Sequence, residues 1–390
     1  MKIESFVLHR VNLPLRRPHR WAGLTEDIGR YLLLEVVSDS GGHGWGEATA
    51  LASWGGDHGR YYGETLDTAD YVLRELVAPA VLGVAFTDRH EILALADAQV
   101  RGHPYAKTAF QCAVLDLLAR DLGVPVYELL GGKRRDRIEL GHSIGFMDTT
   151  TAVAEVLAAV AEGVRAIKVK VGQDADREVE LIRRIHEEVG DTVHLAVDAN
   201  RAWSSAVQAE RVLRRLADVP LRYVEQPTES LAQLESLAAR IPFPVMADES
   251  MWTAYDMAEI ARHGIVQRAS IYTSKAGGPI GALAADAVAT AFGIGTNVNG
   301  SGETGVGNLA NLHLAAAMTS MSEACLVPLS TIAEDPRTTV AGRMYLDDVL
   351  TESMDYVGGD VMIPTGPGWG IDVDAAKMER YTVSSEVVRK

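Results

Sequence analysis

The chain has 390 residues and a formal net charge of −16, with a pI near 5.1. Acidity of that size argues against nucleic acid and anionic membrane as partners, because both are polyanions. It leaves a small anionic ligand open, since a bound cation can reverse the sign inside a pocket.

Hydrophobic residues make up 47% and charged residues 23%, a globular composition with enough chain for more than one core. No run of 18 apolar residues occurs, so no transmembrane helix is expected, and the N-terminus lacks a leader pattern. Two cysteines, Cys112 and Cys325, are too few for a disulfide framework and suit a reducing cytoplasm. Cys112 sits in an apolar helical pattern and reads as a buried thiol.

In chain order, Ile3–Val11, Tyr31–Val37 and His43–Glu47 read as an antiparallel meander, with a turn at Ser40-Gly41-Gly42. Helical periodicity follows at Leu66–Leu76 and at Ala106–Leu122, the latter stopped by Gly123. A short helix ends in Leu129-Leu130-Gly131-Gly132. The pattern then changes to short apolar strands alternating with amphipathic helices. Strands are expected at Ile138–Ile144, Ile167–Val171, Leu195–Asp198, Tyr223–Glu225, Val245–Asp248, Ala269–Tyr272, Gly295–Asn299 and Ala324–Leu329. Helices between them include Thr151–Glu162, Arg177–Val189 and Ser205–Ala217. That alternation is the signature of a (β/α) barrel, whose active site lies at the C-terminal ends of the strands.

Polar residues cluster at those ends. Three consecutive strands finish in a carboxylate: Asp198, Glu225 and Asp248. Three acids at one barrel mouth repel one another unless a cation joins them, and an all-oxygen set without Cys or His matches Mg²⁺ rather than zinc. Lys168 and Lys170 stand at i and i+2 on one strand and so face the same side. Each is expected to lower the pKa of the other, which would make a usable base near neutral pH. Lys275 follows the sixth strand and approaches from the opposite side. Two acid/base groups on opposite faces of one carbon allow racemisation, or delivery of a proton from a chosen side.

In this order and spacing, the segments KVK (168–170), DAN (198–200), EQP (225–227), DES (248–250) and SKAGG (274–278) resemble the muconate lactonizing enzyme subgroup of the enolase superfamily. The resemblance covers nearly the whole chain. It implies a modified (β/α)7β barrel over 133–355, an N-terminal α+β capping domain over 1–132, and a C-terminal segment over 356–390 that packs back on the cap. It further implies Mg²⁺, with Mn²⁺ as a substitute, held by Asp198, Glu225 and Asp248. Lys170 and Lys275 would be the acid/base pair, with Lys168 tuning Lys170 and Asn200 and Glu249 orienting ligands.

The expected reaction is abstraction of a proton α to a carboxylate through an enolate, leading to muconate-type cycloisomerisation. The alternatives are racemisation or epimerisation of an N-substituted or cyclic amino acid, and dehydration of a β-hydroxy acid. The mandelate racemase subgroup uses a His where this chain has Lys275. Dipeptide epimerases typically carry Asp-x-Asp where Cys325–Ser330 stands here. Glu323 resembles the eighth-strand Glu of the cycloisomerases, and Glu303 the family's seventh-strand turn. Asn297, Asn299 and Ser301 make that turn more polar than usual. Specificity is expected from the capping loops near Arg17–Thr25 and Leu51–Arg60. These carry Arg17, His19, Arg20, Trp21, Trp54, Asp57 and His58, with Trp21 and Trp54 as the preferred pocket residues. A homo-oligomer acting on a small carboxylate is expected.

Overall fold

The computed structural model describes residues 1–21, 24–52, 54–56, 63–86, 88–337 and 339–390, with 19, 21 and 24–27 described by backbone alone. The expected meander is present as β1 (Ile3–Trp21), β2 (Leu24–Ser38) and β3 (His43–Ala48). The first two strands run well beyond their apolar stretches. Past Pro14 the hydrophobic alternation stops and the register shifts, but pairing resumes at His19 with Glu26. Apolar faces of β1 and β2, including Phe6, Leu32, Leu34 and Val36, pack on a helical layer. That layer begins with α1 (Leu66–Tyr71), whose Thr65 forms a capping box with Thr68. A π-helical turn, Val72–Val77, and α2 (Ala78–Val81) follow. Pro79 donates no amide, and just ahead of it the ladder widens, with Ala78 N–H reaching Leu73 O.

After α3 (Arg89–Gln99), α4 (Pro104–Leu122) ends at Gly123 in the left-handed region, as the sequence predicts. Strand β3 lies directly on α4. A Cβ at Gly44 would stand 2.2 Å from Ala113 O, and one at Gly46 would stand 2.0 Å from Ala109 O. Only glycine permits that approach. Asp116 of α4, fully buried, accepts from Trp45 N–H (2.9 Å), Trp369 N–H (2.9 Å) and Arg120 Nε (3.0 Å). It thereby joins β3, α4 and the C-terminal segment. Asp116→Ala would leave two buried amides without acceptors and is expected to cost about 4 kcal/mol. Urea denaturation measures this, and a loss under about 1 kcal/mol would show that Asp116 does not join the three segments.

A curled, seven-stranded parallel sheet follows in the order β11-β10-β9-β8-β7-β6-β5. Its strands are β5 (Gly141–Ile144), β6 (Ala166–Lys170), β7 (His194–Asp198), β8 (Leu221–Glu225), β9 (Val245–Ala247), β10 (Arg268–Ile271) and β11 (Gly295–Val298). Between them run α6 (Thr149–Ala161), α7 (Ala175–Val189), α8 (Ala206–Leu213), α9 (Leu231–Ala238), α10 (Ala254–His263) and α11 (Pro279–Phe292), and α12 (Gly305–Ala317) follows β11. The earlier helix α5 (Val126–Leu129) precedes the sheet. The outward residues of the strands form one large core with these helices.

Two expectations are corrected. Ile138–Ile144 is not one strand: β4 (Arg137–Glu139) leaves to pair antiparallel with β13 (Asp360–Met362), itself paired with β12 (Tyr356–Val357), and only β5 enters the barrel. The eighth strand reduces to two bridges, Leu140 with Cys325 and Asn299 with Leu326, which close the sheet onto itself. Leu326 N–H is shared between Val298 O (3.3 Å) and Asn299 Oδ1 (3.2 Å), and Pro328 cannot donate, so no longer ladder forms. The chain ends in α13 (Ala375–Tyr381) and β14 (Thr382–Arg389). The latter lies beside the first strand, so the outer sheet runs β14-β1-β2-β3. Cys112 and Cys325 are both free and buried.

Candidate active site

Asp198 and Glu225 are the last residues of β7 and β8, and Asp248 immediately follows β9. All three carboxylates are buried. The backbone just past these strands is strained: Asn200, Arg201 and Gln226 have φ of 43°, 66° and 32°. Gln226 uses that turn to stitch β8 to β9. Its Oε1 accepts from Asp248 N–H (2.8 Å) and Ser250 N–H (3.2 Å), while its Nε2 donates to Ser250 Oγ (2.8 Å).

The three lysines converge on these acids. Lys168 Nζ donates to both oxygens of Glu225 (3.1 Å each) and lies 3.1 Å from Asp198 Oδ2. Lys170 Nζ donates to Asp198 Oδ2 (2.6 Å) and Asn200 Oδ1 (2.5 Å). Four strands round the sheet from β6, Lys275 follows β10 and donates to Asp248 Oδ1 (2.5 Å), Asp248 O (2.8 Å) and Ser270 O (2.9 Å). Its ammonium sits 4.1 Å from the Tyr272 ring centre and 5.7 Å from that of Trp54. The Tyr272 hydroxyl donates to Asp248 Oδ2 (3.0 Å). Asn200 Nδ2 reaches Glu249 Oε1 (3.3 Å), so Lys170, Asn200 and Glu249 form a chain.

The electrostatics correct one expectation. Burial would lower Lys168, but Glu225 and Asp198 outweigh it and hold its pKa well above the ordinary value. The carboxylates, not the neighbouring lysine, set its charge. Burial would raise Asp198, yet Lys170 and Lys168 hold it at about 2. Burial pushes Glu225 up, to about 8, with Asp198 and Asp248 adding to the push against Lys168. Burial and then Asp248 raise Glu249 to about 7.

Among the described residues, no group of three His, Cys, Asp or Glu is already gathered at metal-binding spacing. Each strand-end acid is instead held by a lysine. The donor set nevertheless fits a hard divalent cation. It consists of three buried carboxylates on neighbouring strands, and the elevated Glu225 marks a place short of positive charge.

Above the acids opens a cleft enclosing about 990 Å³ of space, part of it open to solvent. Lys168, Lys170, Asp248, Trp54, Asn299 and Ser301 line it. Asn299 Nδ2 also reaches Glu225 Oε1 (3.3 Å). Glu303 does not line the cleft. It is buried behind the turn, accepts from Ser301 N–H (2.9 Å), and is raised by burial and then Glu47 to about 7. Glu323 is placed elsewhere altogether. It precedes the eighth-strand bridges and accepts from Arg222 Nε and Arg268 Nε (2.7 Å each) at the strands' N-terminal ends, away from the cleft. Asp57 and His58, and the side chains of His19 and Trp21, lie outside the described residues. Sequence reasoning missed Tyr272 as a partner of Asp248, although an aromatic hydroxyl at a strand end was the available signal. It also missed Arg16 and Arg343, whose positions far along the chain give none.

The family model described as "Mandelate racemase / muconate lactonizing enzyme, N-terminal domain" matches residues 2–131, and "Enolase C-terminal domain-like" matches 151–377. The chain is 34% identical over 374 residues to N-succinylamino acid racemase of Amycolatopsis sp, covering 95% of each. It is 30% identical over 388 residues to muconate cycloisomerase 1-1 of Acinetobacter lwoffii, covering 97% of this chain and 96% of the other. The structure of muconate lactonizing enzyme from Pseudomonas fluorescens, complexed with muconolactone, superposes with a TM-score of 0.88 at 28% identity, covering 98% and 99%.

Proposed function

The chain belongs to the mandelate racemase/muconate lactonizing enzyme family of the enolase superfamily, and from that premise we propose that it racemises an N-acylated amino acid by moving the proton at Cα between Lys170 and Lys275. The observation that carries this reading is the second lysine. Lys275 is fully buried, held by three oxygen acceptors and flanked by two aromatic rings, on the opposite side of the strand-end acids from Lys170. One positioned base suffices to isomerise with retention on a single face; inversion needs a proton donor on the other face as well.

Asp198, Glu225 and Asp248 would hold Mg²⁺. When bound, the ion would neutralise the substrate carboxylate and act as a Lewis acid toward the charge that develops on proton loss. The chain's own groups do the rest. Lys170, oriented by Asp198 and Asn200, takes the proton from one face. Lys275 returns a proton to the other, and the roles exchange for the other enantiomer. Lys168 remains cationic beside Glu225 and stabilises the negative charge of the enolate. Asn299 and Ser301 offer hydrogen bonds to the acyl amide, while Trp54, Leu51 and Leu326 exclude water.

Cycloisomerisation of a muconate-type diacid is the second reading, favoured by the apolar wall Leu326-Val327-Pro328. Incubation with Mg²⁺ in D₂O separates the two. N-acylamino acids should lose optical rotation as deuterium enters at Cα by NMR, and cis,cis-muconate should be recovered unchanged. Lactone formation from muconate, with no exchange in any N-acylamino acid, would replace the first reading by the second.

A further inference from the structure

The turn that follows β11 is held from outside the barrel. Asn299, Gly300, Ser301 and Gly302 form one wall of the cleft, and α12 starts close behind them. Asn299 N–H bonds Ile271 O (3.2 Å) and Gly300 N–H bonds Leu326 O (3.3 Å), so the barrel holds the chain as far as Gly300. The first amides of a helix have no partner within it. Those of α12 are met by acids from distant parts of the chain. Glu47, buried near the end of β3, accepts from Thr304 N–H (3.1 and 3.2 Å to its two oxygens), Thr304 Oγ1 (2.6 Å) and Gly307 N–H (3.0 Å). Asp348 accepts from Gly305 N–H (2.9 and 3.0 Å), and Thr304 Oγ1 takes Val306 N–H (3.3 Å). The positive end of the helix favours both carboxylates.

The clamp is itself held. Thr49 Oγ1 donates to Glu47 Oε1 (2.7 Å), which fixes the carboxylate from its own strand's side. Strand β3 is seated on α4 at Gly44 and Gly46, so it cannot follow a moving turn. A second tie reaches the same place. The Tyr345 hydroxyl donates to Gly302 O and receives the Tyr31 hydroxyl of β2 (2.5 Å). Within the turn, Ser301 N–H donates to Glu303 Oε1 (2.9 Å). The sequence Gly300-Ser301-Gly302 lends the turn little stiffness of its own, so its shape is set by what holds it.

We infer that Glu47 is a positioning residue: from the outer sheet it fixes the turn 300–303 and, through it, the hydrogen bond that Ser301 offers to a bound substrate. Glu47 does not line the cleft itself. That the bonded group is an acyl amide rests on the reaction proposed above; the clamp does not. An amide in place of the carboxylate loses one acceptor and leaves a buried donor without a partner. The bond to the acyl group, remote from the reacting carbon, is the same before and during proton transfer. Loosening the turn therefore weakens binding without slowing the chemical step.

The test reads the turn and the substrate separately. Hydrogen exchange followed by mass spectrometry should show residues 300–308 exchanging at least about 10-fold faster in Glu47→Gln, with β6 to β9 unchanged. Thr304→Val removes the hydroxyl on the other side of the same bond and should loosen the same residues, which guards against misfolding of one variant. Unchanged exchange in both variants, or a rise spread evenly over the barrel, would overturn the inference. N-acetylphenylalanine titrated into the Mg²⁺-loaded protein should bind about 10-fold more weakly to Glu47→Gln, while kcat for racemisation stays within about threefold of wild type. In a Ser301→Ala background, Glu47→Gln should weaken binding by less than about threefold, because the group that it positions is gone. An undiminished effect in that background would overturn the role given to Ser301. Loosening of 300–308 in a protein that exchanges no Cα–H of N-acetylphenylalanine in D₂O would keep the clamp and sink the proposed racemisation. Exchange of that proton, with a turn as rigid in Glu47→Gln as in wild type, would do the reverse.

Discussion

Lys275→Ala should lose racemisation by about 10³-fold, yet still exchange the α-proton of one enantiomer with solvent. A positioned general acid or base contributes roughly 10²- to 10⁴-fold. The loss is split by stereochemistry because the two lysines stand on opposite sides of the acids. Lys170→Ala should show the mirror result, exchanging only the other enantiomer. The measurement is deuterium incorporation at Cα from each pure enantiomer, set beside optical rotation. Thermal unfolding of each variant checks folding, since Asp248 keeps the Tyr272 hydroxyl when Lys275 is gone. If Lys275→Ala racemised within tenfold of wild type, the two-lysine mechanism would be wrong. If it lost exchange of both enantiomers equally, Lys275 would be holding Asp248 rather than moving protons.

Removing the divalent cation should be as damaging. Chelator-treated protein is expected to fall by at least about 10³-fold in turnover, because the charge that develops on proton loss would lose several kcal/mol of stabilisation. Mg²⁺ should restore activity and Mn²⁺ should restore part of it. Calorimetry gives a readout that does not depend on turnover. Mg²⁺ should bind the wild-type chain, and Glu225→Gln should abolish that binding, because the lost oxygen charge lies at the centre of the acid row. Full activity after stripping, or unchanged Mg²⁺ binding in Glu225→Gln, would refute the assignment. The substitution removes one partner of a buried ion pair, so a cost of about 3 kcal/mol to stability accompanies it.

The row of strand ends was legible in the sequence because parallel strands repeat. A short apolar run followed by a polar residue states both where the strand stops and which way its last side chain faces. Asp198, Glu225, Asp248 and Lys170 all fall under that rule, and Lys168, two residues before Lys170 on the same strand, shares its face. Glu323 shows its limit: it precedes the apolar run rather than following it, and so belongs to the other end of the barrel. The eighth strand fell short for a local reason: Leu326 N–H keeps its bond to Val298 O (3.3 Å), but Pro328, two residues on, has no N–H to donate. The ionisation of Lys168 was misjudged because the sequence shows its neighbour Lys170, two residues away, but not Glu225, 57 residues away. Arg16 and Arg17 meet Glu155 and Arg343 beside the cleft, a set that no periodicity connects.

The position of β14 beside β1 has a consequence for how the protein comes to be made. Residues 382–389 leave the ribosome after every barrel strand, yet they supply one of the four strands of the outer sheet. The barrel's neighbouring strands can pair as they emerge, at modest separations along the chain. The outer sheet must keep one side of β1 open until some 370 further residues have been synthesised, as the partners Val11 and Thr382 require. During translation, then, the long apolar ribbon of β1 and β2 is the segment most exposed to wrong pairing. It is where a nascent chain of this protein would most need shielding.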